Sequence, residues 1–386
     1  MRITYVARSF LDYRVPVLEH LNELCGNQLR FISSTKWTPQ RALDRLRTAI
    51  GENAIYLSGE KSIGVDSPIE ANVDICIPYQ PSLLRSILKT RPDVLVGDGF
   101  FQWTYAALLL RMMKGIPMVV CYERWAHTER SAQWYRRLYR KMALRFTDAV
   151  CCSGSLSRKY TISLGMPSAG ITTGHMTADT EALAAYSSNV TNAEKNMLRS
   201  EYRWAGTVFL CVGQLIARKG ITQMLDTWAK FETTAADATL LIVGGGPEEQ
   251  SLKEQQARLG LKRVHFAGPV DYSRIALFYA ASDVFVIPTL EDNWSLVVPE
   301  AMACGLPILC SKYNGCWPEL VQEGLNGWVF DPLNPADFLK CLKEAVKARG
   351  NLKKMGGESK RIVGNHSQQK AAEAIYSCCE IALKNR

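Results

Sequence analysis

Residues Ala281 to Ser311 read ASDVFVIPTLEDNWSLVVPEAMACGLPILCS, and this stretch constrains the fold more than any other. Two short apolar runs, Val284 to Ile287 and Pro307 to Cys310, have the composition of buried parallel strands. Between them come an acidic turn, Glu291-Asp292-Asn293, and a helical segment from about Ser295 to Cys304. Gly305-Leu306-Pro307 ends that helix, because Gly suits a C-terminal cap and Pro cannot continue the helix. Strand, turn, helix and strand in this order build a doubly wound sheet. Ligands of such sheets lie beyond the carboxyl ends of the strands, where Glu291, Asp292 and the helix start fall. Backbone N–H groups at that helix start attract an anion. Glu300 lies on an otherwise apolar helix, and a carboxylate in that setting needs a partner.

At 386 residues the chain is long enough for two domains, each with its own core. The N-terminal MRITYVARSF lacks a charged-then-apolar signal pattern and reads as a first strand. No uninterrupted apolar run reaches transmembrane length, since the longest, Phe100 to Cys121, is broken by Arg111 and Lys114. The twelve cysteines include no CxxC pair and read as reduced thiols, so a cytoplasmic protein is expected.

In the N-terminal half, strands are expected at Arg2 to Val6, Gln28 to Ser33, Asp93 to Val96, Met118 to Tyr122 and Ala149 to Ser153. Helices are expected at Pro16 to Leu24, Gln102 to Met113 and Ser155 to Leu164, and this alternation implies a parallel α/β sheet. The loop after the Met118–Tyr122 strand, YERWAHTER, carries Glu123, His127 and Glu129 within seven residues. Next comes SAQWYRRLYRKMALRF, residues 131–146, with five cations and four aromatics at helical spacing. Such a helix suits an anionic membrane surface, and a solvated basic helix has the same pattern. The net charge of +9 favours an anionic partner, but no nucleic-acid module is recognisable.

Residues 181–206 are small and polar and are expected to form a linker. A second sheet starts at Thr207 to Val212, followed by the loop GQLIARKG. Gly213, Gly220, Arg218 and Lys219 make this a basic turn at a strand end, suited to a diphosphate. Thr239 to Val243 leads into Gly244-Gly245-Gly246-Pro247, which is not a full GxGxxG fingerprint. The next strand, Val264 to Ala267, ends in Gly268-Pro269-Val270 and not in the acidic residue that a nicotinamide cofactor wants there, so that cofactor is not expected. LKKMGGESKRIVGNH reads as broken by its glycines, and Ser367 to Leu383 as a final helix.

Asp292, seven residues, Glu300 and then AMACGLP together resemble the donor-site signature of family 4 of the retaining glycosyltransferases. Lys219-Gly220 resembles the same family's phosphate loop, with Gln214 where an Arg is usual and Arg218 able to supply the charge. The resemblance implies an α/β GT-B fold: two Rossmann-like domains facing a deep cleft, with the C-terminal helix crossing back to the N-domain. The expected domains are 1–180 with 367–386 for the acceptor, and 207–366 for the donor. The implied reaction moves a sugar from a nucleotide sugar to a glycan or lipid-linked acceptor with retained configuration. His127, Lys219, Asp292 and Glu291 are the implied catalytic residues. Gly213, Gln214, Arg218, Lys219, Gly245, Gly268, Asn293, Ser295, Leu296 and Glu300 would bind the donor. Arg14, Glu123 and Glu129 would face the acceptor.

The sequence has no Asp-x-Asp, so no divalent metal and no cofactor are expected. A location in the cytoplasm follows, peripheral on the inner membrane face if residues 131–146 bind lipid. Alternatives are a soluble small-molecule acceptor, a GT-B phosphorylase or epimerase, and a non-catalytic nucleotide-sugar-binding membrane-associated protein.

Overall fold

Strands and helices alternate along the chain, as apolar runs separated by longer patterned segments require. A computed structural model describes residues 1–63, 77–234 and 237–385. The N-terminal elements are β1 (Ile3–Val6), α1 (Val15–Leu24), β2 (Leu29–Ser34), α2 (Gln40–Ile50), β3 (Ala54–Leu57), β4 (Lys61–Ile63), β5 (Ile77–Tyr79) and α3 (Leu83–Lys89). There follow β6 (Val94–Asp98), α4 (Thr104–Lys114), β7 (Met118–Tyr122), α5 (Trp134–Leu144), β8 (Ala149–Cys152), α6 (Ser155–Ser163) and β9 (Ile171–Thr173). Next come α7 (Thr180–Asn189), α8 (Asn192–Glu201), β10 (Thr207–Val212), α9 (Ile221–Glu232), β11 (Ala238–Val243), α10 (Glu249–Arg258), β12 (Val264–Gly268) and α11 (Tyr272–Ala281). The chain ends with β13 (Val284–Ile287), α12 (Val297–Ala303), β14 (Ile308–Ser311), α13 (Trp317–Leu320), β15 (Gly327–Phe330), α14 (Pro335–Lys347), α15 (Leu352–Val363) and α16 (Gln368–Lys384).

These elements form two units, Met1–Thr177 with Gln368–Arg386, and Ala178–Ser367. The sheet of the first unit has the order β3-β2-β1-β6-β7-β8-β9, and its neighbouring strands are parallel. One face is covered by α1, α2 and α16, which bury Leu18, Leu21, Leu46, Ala371 and Ile375. The other is covered by α3 to α6, which bury Leu83, Ile87, Ala107, Leu144 and Tyr160. Each such Leu or Ile contributes ~2 kcal/mol by leaving water.

The second unit has the parallel order β12-β11-β10-β13-β14-β15. Its core joins Met224, Trp228 and Phe231 of α9 to Phe338 and Leu342 of α14. Each sheet reverses its winding once, between β1 and β6 and between β10 and β13. Ligands of doubly wound sheets bind at that reversal, beyond the carboxyl ends of the two strands.

Three expectations are corrected. Residues 181–206 are largely helical and belong to the second unit, where α7 packs on α11 and α12 and α8 on α11. Their polar composition is explained by a narrow buried stripe, which includes Leu183 and Leu198. Thr191 and Glu194 cap α8 reciprocally, and Arg199 pairs with Asp283 at 2.8 Å. The glycines near 356 do not break a helix, because α15 runs through them. Gly356 is there for close approach: a Cβ would come within 1.9 Å of the Gly305 carbonyl oxygen at the end of α12. Finally, α12 begins at Val297, two residues later than expected, because Ser295 is engaged in the turn before it.

Candidate active site

The reversal between β10 and β13 brings together two loops, residues 213–220 and 288–296. Gly220 has φ +69°, and a Cβ there would lie 2.1 Å from the Pro288 carbonyl oxygen, so the loops close only on glycine. They are then tied together through the Arg218 carbonyl, which accepts from the Leu290 N–H at 2.8 Å and the Thr289 hydroxyl at 3.0 Å. The result is an ion pair: Lys219 Nζ lies 2.5 Å from Asp292 Oδ2. The two side chains are 18% and 11% exposed, so water screens the pair only partly. Ser295 Oγ donates to the same oxygen at 2.6 Å, and the Trp294 N–H reaches Asp292 Oδ1 at 3.3 Å. Backbone bonds to Tyr313 and Gly315 fix Asp292 from the other side. Burial pushes the Asp292 carboxyl up, but Lys219, the Ser295 hydroxyl and Arg218 outweigh it and hold it below its ordinary value. Arg218 is exposed beside this pair, with Nη1 3.4 Å from the Glu291 carbonyl oxygen.

The glycine turns are joined on the same sheet edge. The Gly213 N–H donates to the Val243 carbonyl, that of Gly244 to Gly268, and that of Leu215 to Gly245, at 2.9–3.0 Å. Gly213, Gln214, Gly245 and Gly268 are thereby gathered beyond β10, β11 and β12, with Gln214 exposed. Asn293 lies in the acidic turn and Leu296 directly before α12. One turn further on, Glu300 accepts from the Tyr279 hydroxyl at 2.9 Å. Burial pushes the Glu300 carboxyl up to about 7, with the Tyr279 hydroxyl opposing and Asp179 adding to the rise. Tyr279 is the partner that the sequence requires for Glu300 without naming it.

Residues 199–362 match the family described as Glycosyl transferases group 1, and residues 52–182 match Glycosyltransferase Family 4. The chain belongs to the family 4 glycosyltransferases of GT-B fold. This glycosyltransferase is 22% identical over 340 residues to the sulfoquinovosyl transferase SQD2 of Arabidopsis thaliana, covering 85% of the chain and 63% of that relative. It is 30% identical over 132 residues to the GDP-mannose-dependent alpha-(1-6)-phosphatidylinositol monomannoside mannosyltransferase of Mycolicibacterium smegmatis, covering 32% of the chain and 34% of the relative. The chain thus spans less than two thirds of the length of either. Among solved structures, Anabaena Alr3699/HepE in complex with UDP superposes with a TM-score of 0.74 at 16% identity, over 98% of this chain and 99% of that one. The same protein in complex with UDP-glucose gives 0.72 at 17%, over 98% and 100%. At such identity the likeness establishes the fold.

The first unit of the glycosyltransferase has a pocket of 440 Å³ at its own reversal, between β1 and β6. Arg14, on the loop after β1, donates to Asp98 at the end of β6 at 2.9 Å and to the Tyr5 hydroxyl at 3.2 Å. Phe10, Tyr13, Trp37, Phe100, Phe101 and Tyr122 supply aromatic walls. Trp37 is held in place by Glu60, which accepts from both the Trp37 and Trp103 indoles and from Arg8. His175 lines the pocket and is 5% exposed. Its Nε2 lies 3.3 Å from the Tyr122 carbonyl oxygen, which only accepts, so Nε2 carries the proton. Nδ1 is then a lone-pair acceptor, and it has no hydrogen-bond partner among the described residues. Burial, then Arg14, push the imidazole down to about 4, so it is neutral near pH 7.

Of the residues predicted for the acceptor, Arg14 and Glu123 line this pocket. Glu129 does not: it is buried between Arg124 at 3.0 Å and Arg140 at 2.5 Å. His127 stacks on Trp125, 5.3 Å between ring centroids, and is outside the lining. His175 was missed because it follows β9, a strand of only three residues with no periodic signal.

Proposed function

We propose that this chain transfers a sugar, with retained anomeric configuration, from a nucleotide sugar held by the second unit to a glycan or lipid-linked acceptor held by the pocket of the first. The observation that carries the reading is the Lys219–Asp292 pair at the β10/β13 reversal, with Arg218 and the glycine turns beside it. Lys219 and Arg218 offset charge as it develops on the departing diphosphate, the role such preorganised donors play best in a partly dry site. Glu300, as a carboxylate, accepts from the ribose hydroxyls, and Asp292 and Glu291 position the sugar hydroxyls. Gly213, Gln214, Gly245 and Gly268 offer backbone to the nucleotide. With no Asp-x-Asp in the sequence, these cations take the place of a metal. No side chain is an evident covalent nucleophile, which favours departure and attack on one face of the sugar; a place for His127 near the anomeric carbon rests on the family resemblance alone. His175 Nδ1 and the Asp98 carboxylate accept from acceptor hydroxyls against the aromatic walls.

HepE complexes with UDP and UDP-glucose support a nucleotide-sugar donor, and the phosphatidylinositol monomannoside in a relative's name supports a lipid-linked acceptor. Incubation with UDP-, GDP- and ADP-sugars tests the reading: one of them should release its nucleoside diphosphate. Proton NMR of the transferred sugar should show the donor's anomeric configuration. An inverted product would remove retention, and no turnover or binding of any donor would remove the transferase reading.

A further inference from the structure

The two helical layers on the first unit's sheet differ in composition. The helices α1, α2 and α16 carry five acidic and five basic side chains and one large exposed apolar residue, Leu24. The helices α3, α4, α5 and α6 carry ten Lys or Arg, no Asp or Glu, and ten large exposed apolar residues. Both layers bury their other side against the same sheet, so core packing does not account for the difference.

The exposed residues follow helical rows. On α5, Trp134, Leu138 and Met142 repeat every four residues, at 75%, 49% and 54% exposure. Arg137, Lys141 and Arg145 form the adjacent exposed row. On α4, Met112 and Met113 are 57% and 72% exposed, next to Lys114. The helices are contiguous: α3 packs on α4, and Tyr139 of α5 stacks on Phe101, just before α4, at 5.2 Å. Arg111 of α4 pairs with Asp148, beyond α5, at 2.7 Å.

We propose that the outer side of α3, α4 and α5 is a docking face for an anionic lipid bilayer, so that contact is made by three helices and not by residues 131–146 alone. Large apolar side chains flanked by cations match an interface where acyl chains lie beneath anionic headgroups. Long Lys and Arg side chains reach the headgroups while their stems lie along apolar surface. A nucleic acid would use the cations but has no use for exposed Met and Leu, since its affinity comes from phosphates. The inference is independent of the transfer reaction proposed above, because binding is read without donor or acceptor.

Cosedimentation with vesicles of phosphatidylglycerol and phosphatidylcholine, and with phosphatidylcholine alone, tests it at low salt. Wild type should pellet with the anionic vesicles only, and high salt should release it. Each cation near such a surface is worth roughly fivefold in binding, so Arg137→Glu with Lys141→Glu should weaken it more than tenfold. Met112→Ser with Met113→Ser should weaken it severalfold with all charges retained, which separates a three-helix face from α5 alone. Arg41→Glu with Lys370→Glu, on the opposite layer, should bind like wild type. Unaltered circular dichroism and unaltered thermal unfolding check that each variant is folded. Wild type left in the supernatant with anionic vesicles overturns the proposal, as does full binding by the Met112/Met113 variant. A dimer in wild type that this variant dissociates, without vesicle binding, would assign the face to a second copy of the chain.

Discussion

The two sheet reversals of this molecule are built alike and furnished differently. At each, a cation from the loop after the first strand meets a carboxylate from across the reversal: Arg14 with Asp98 at 2.9 Å, and Lys219 with Asp292 at 2.5 Å. The surroundings part company there. Lys219 is followed by a glycine that lets two loops touch, and glycine turns from three strands, which carry no side chains, lie on the same sheet edge. Arg14 is walled by Phe10, Tyr13, Phe100 and Tyr122, with the neutral His175 behind it. Backbone and ammonium charge suit a diphosphate, whereas aromatic faces and lone-pair acceptors suit a sugar ring with hydroxyls. On the proposed reading, one topology supplies two ligand positions, and local sequence decides which ligand each takes.

If that division of labour holds, variants at the two pairs have separable effects. The largest is expected from Lys219→Ala, which removes a preorganised cation from the departing diphosphate and should lower donor turnover roughly 10²–10³-fold. Steady-state assay with unchanged thermal unfolding checks it, and near-normal turnover would break the diphosphate assignment. Next is His175→Ala, which removes an uncharged acceptor of about 1–2 kcal/mol. Transfer should fall roughly tenfold through a raised acceptor KM, while hydrolysis of the donor without acceptor stays unchanged. Equal loss of both activities would merge the two sites.

A smaller effect is expected at Glu300. Its folded pKa is raised to about 7, so between the ordinary carboxyl range and 7 the folded chain keeps a proton that the unfolded chain releases. Stability should therefore fall as pH rises through that window, while donor affinity, which needs the carboxylate, should rise. Donor Kd measured against pH should weaken by at most roughly tenfold per unit below 7. Glu300→Gln should flatten the profile, and an unchanged slope in that variant would assign it to another group. The smallest expected effect is none: excess chelator should leave transfer unaltered, and loss restored by magnesium or manganese would put a metal where Lys219 and Arg218 are placed.

Legibility in the sequence also differed between the two reversals. The second unit's site was readable because its residues lie in three compact loops, each at the end of a strong apolar run such as Val284–Ile287. Only the partners of those residues were hidden, because Tyr279 meets Glu300, and Tyr313 meets Asp292, through the fold. The first unit's pocket draws Arg14, Asp98, Glu123 and His175 from the ends of four strands, and no spacing joins residues so far apart. Among them Asp98 and His175 passed unnoticed, Asp98 because it ends a buried strand and His175 because β9 is too short for a period. The helices α7 and α8 were masked by polar composition, since their stability comes from caps and a narrow stripe rather than from a wide apolar face. The glycines of α15 misled for a related reason, because the close approach they permit is a tertiary fact.

On the proposed reading, nucleotide binding belongs to the Lys219–Asp292 reversal and not to the Arg14–Asp98 one. Calorimetric titration of UDP, GDP and ADP into wild type, Lys219→Ala and Arg14→Ala, with chelator present, tests this most directly. One nucleoside diphosphate should bind wild type and Arg14→Ala with the same Kd, and Lys219→Ala more weakly by about tenfold or more, the loss of one charge-assisted hydrogen bond. Unchanged affinity in Lys219→Ala together with lost affinity in Arg14→Ala would contradict it.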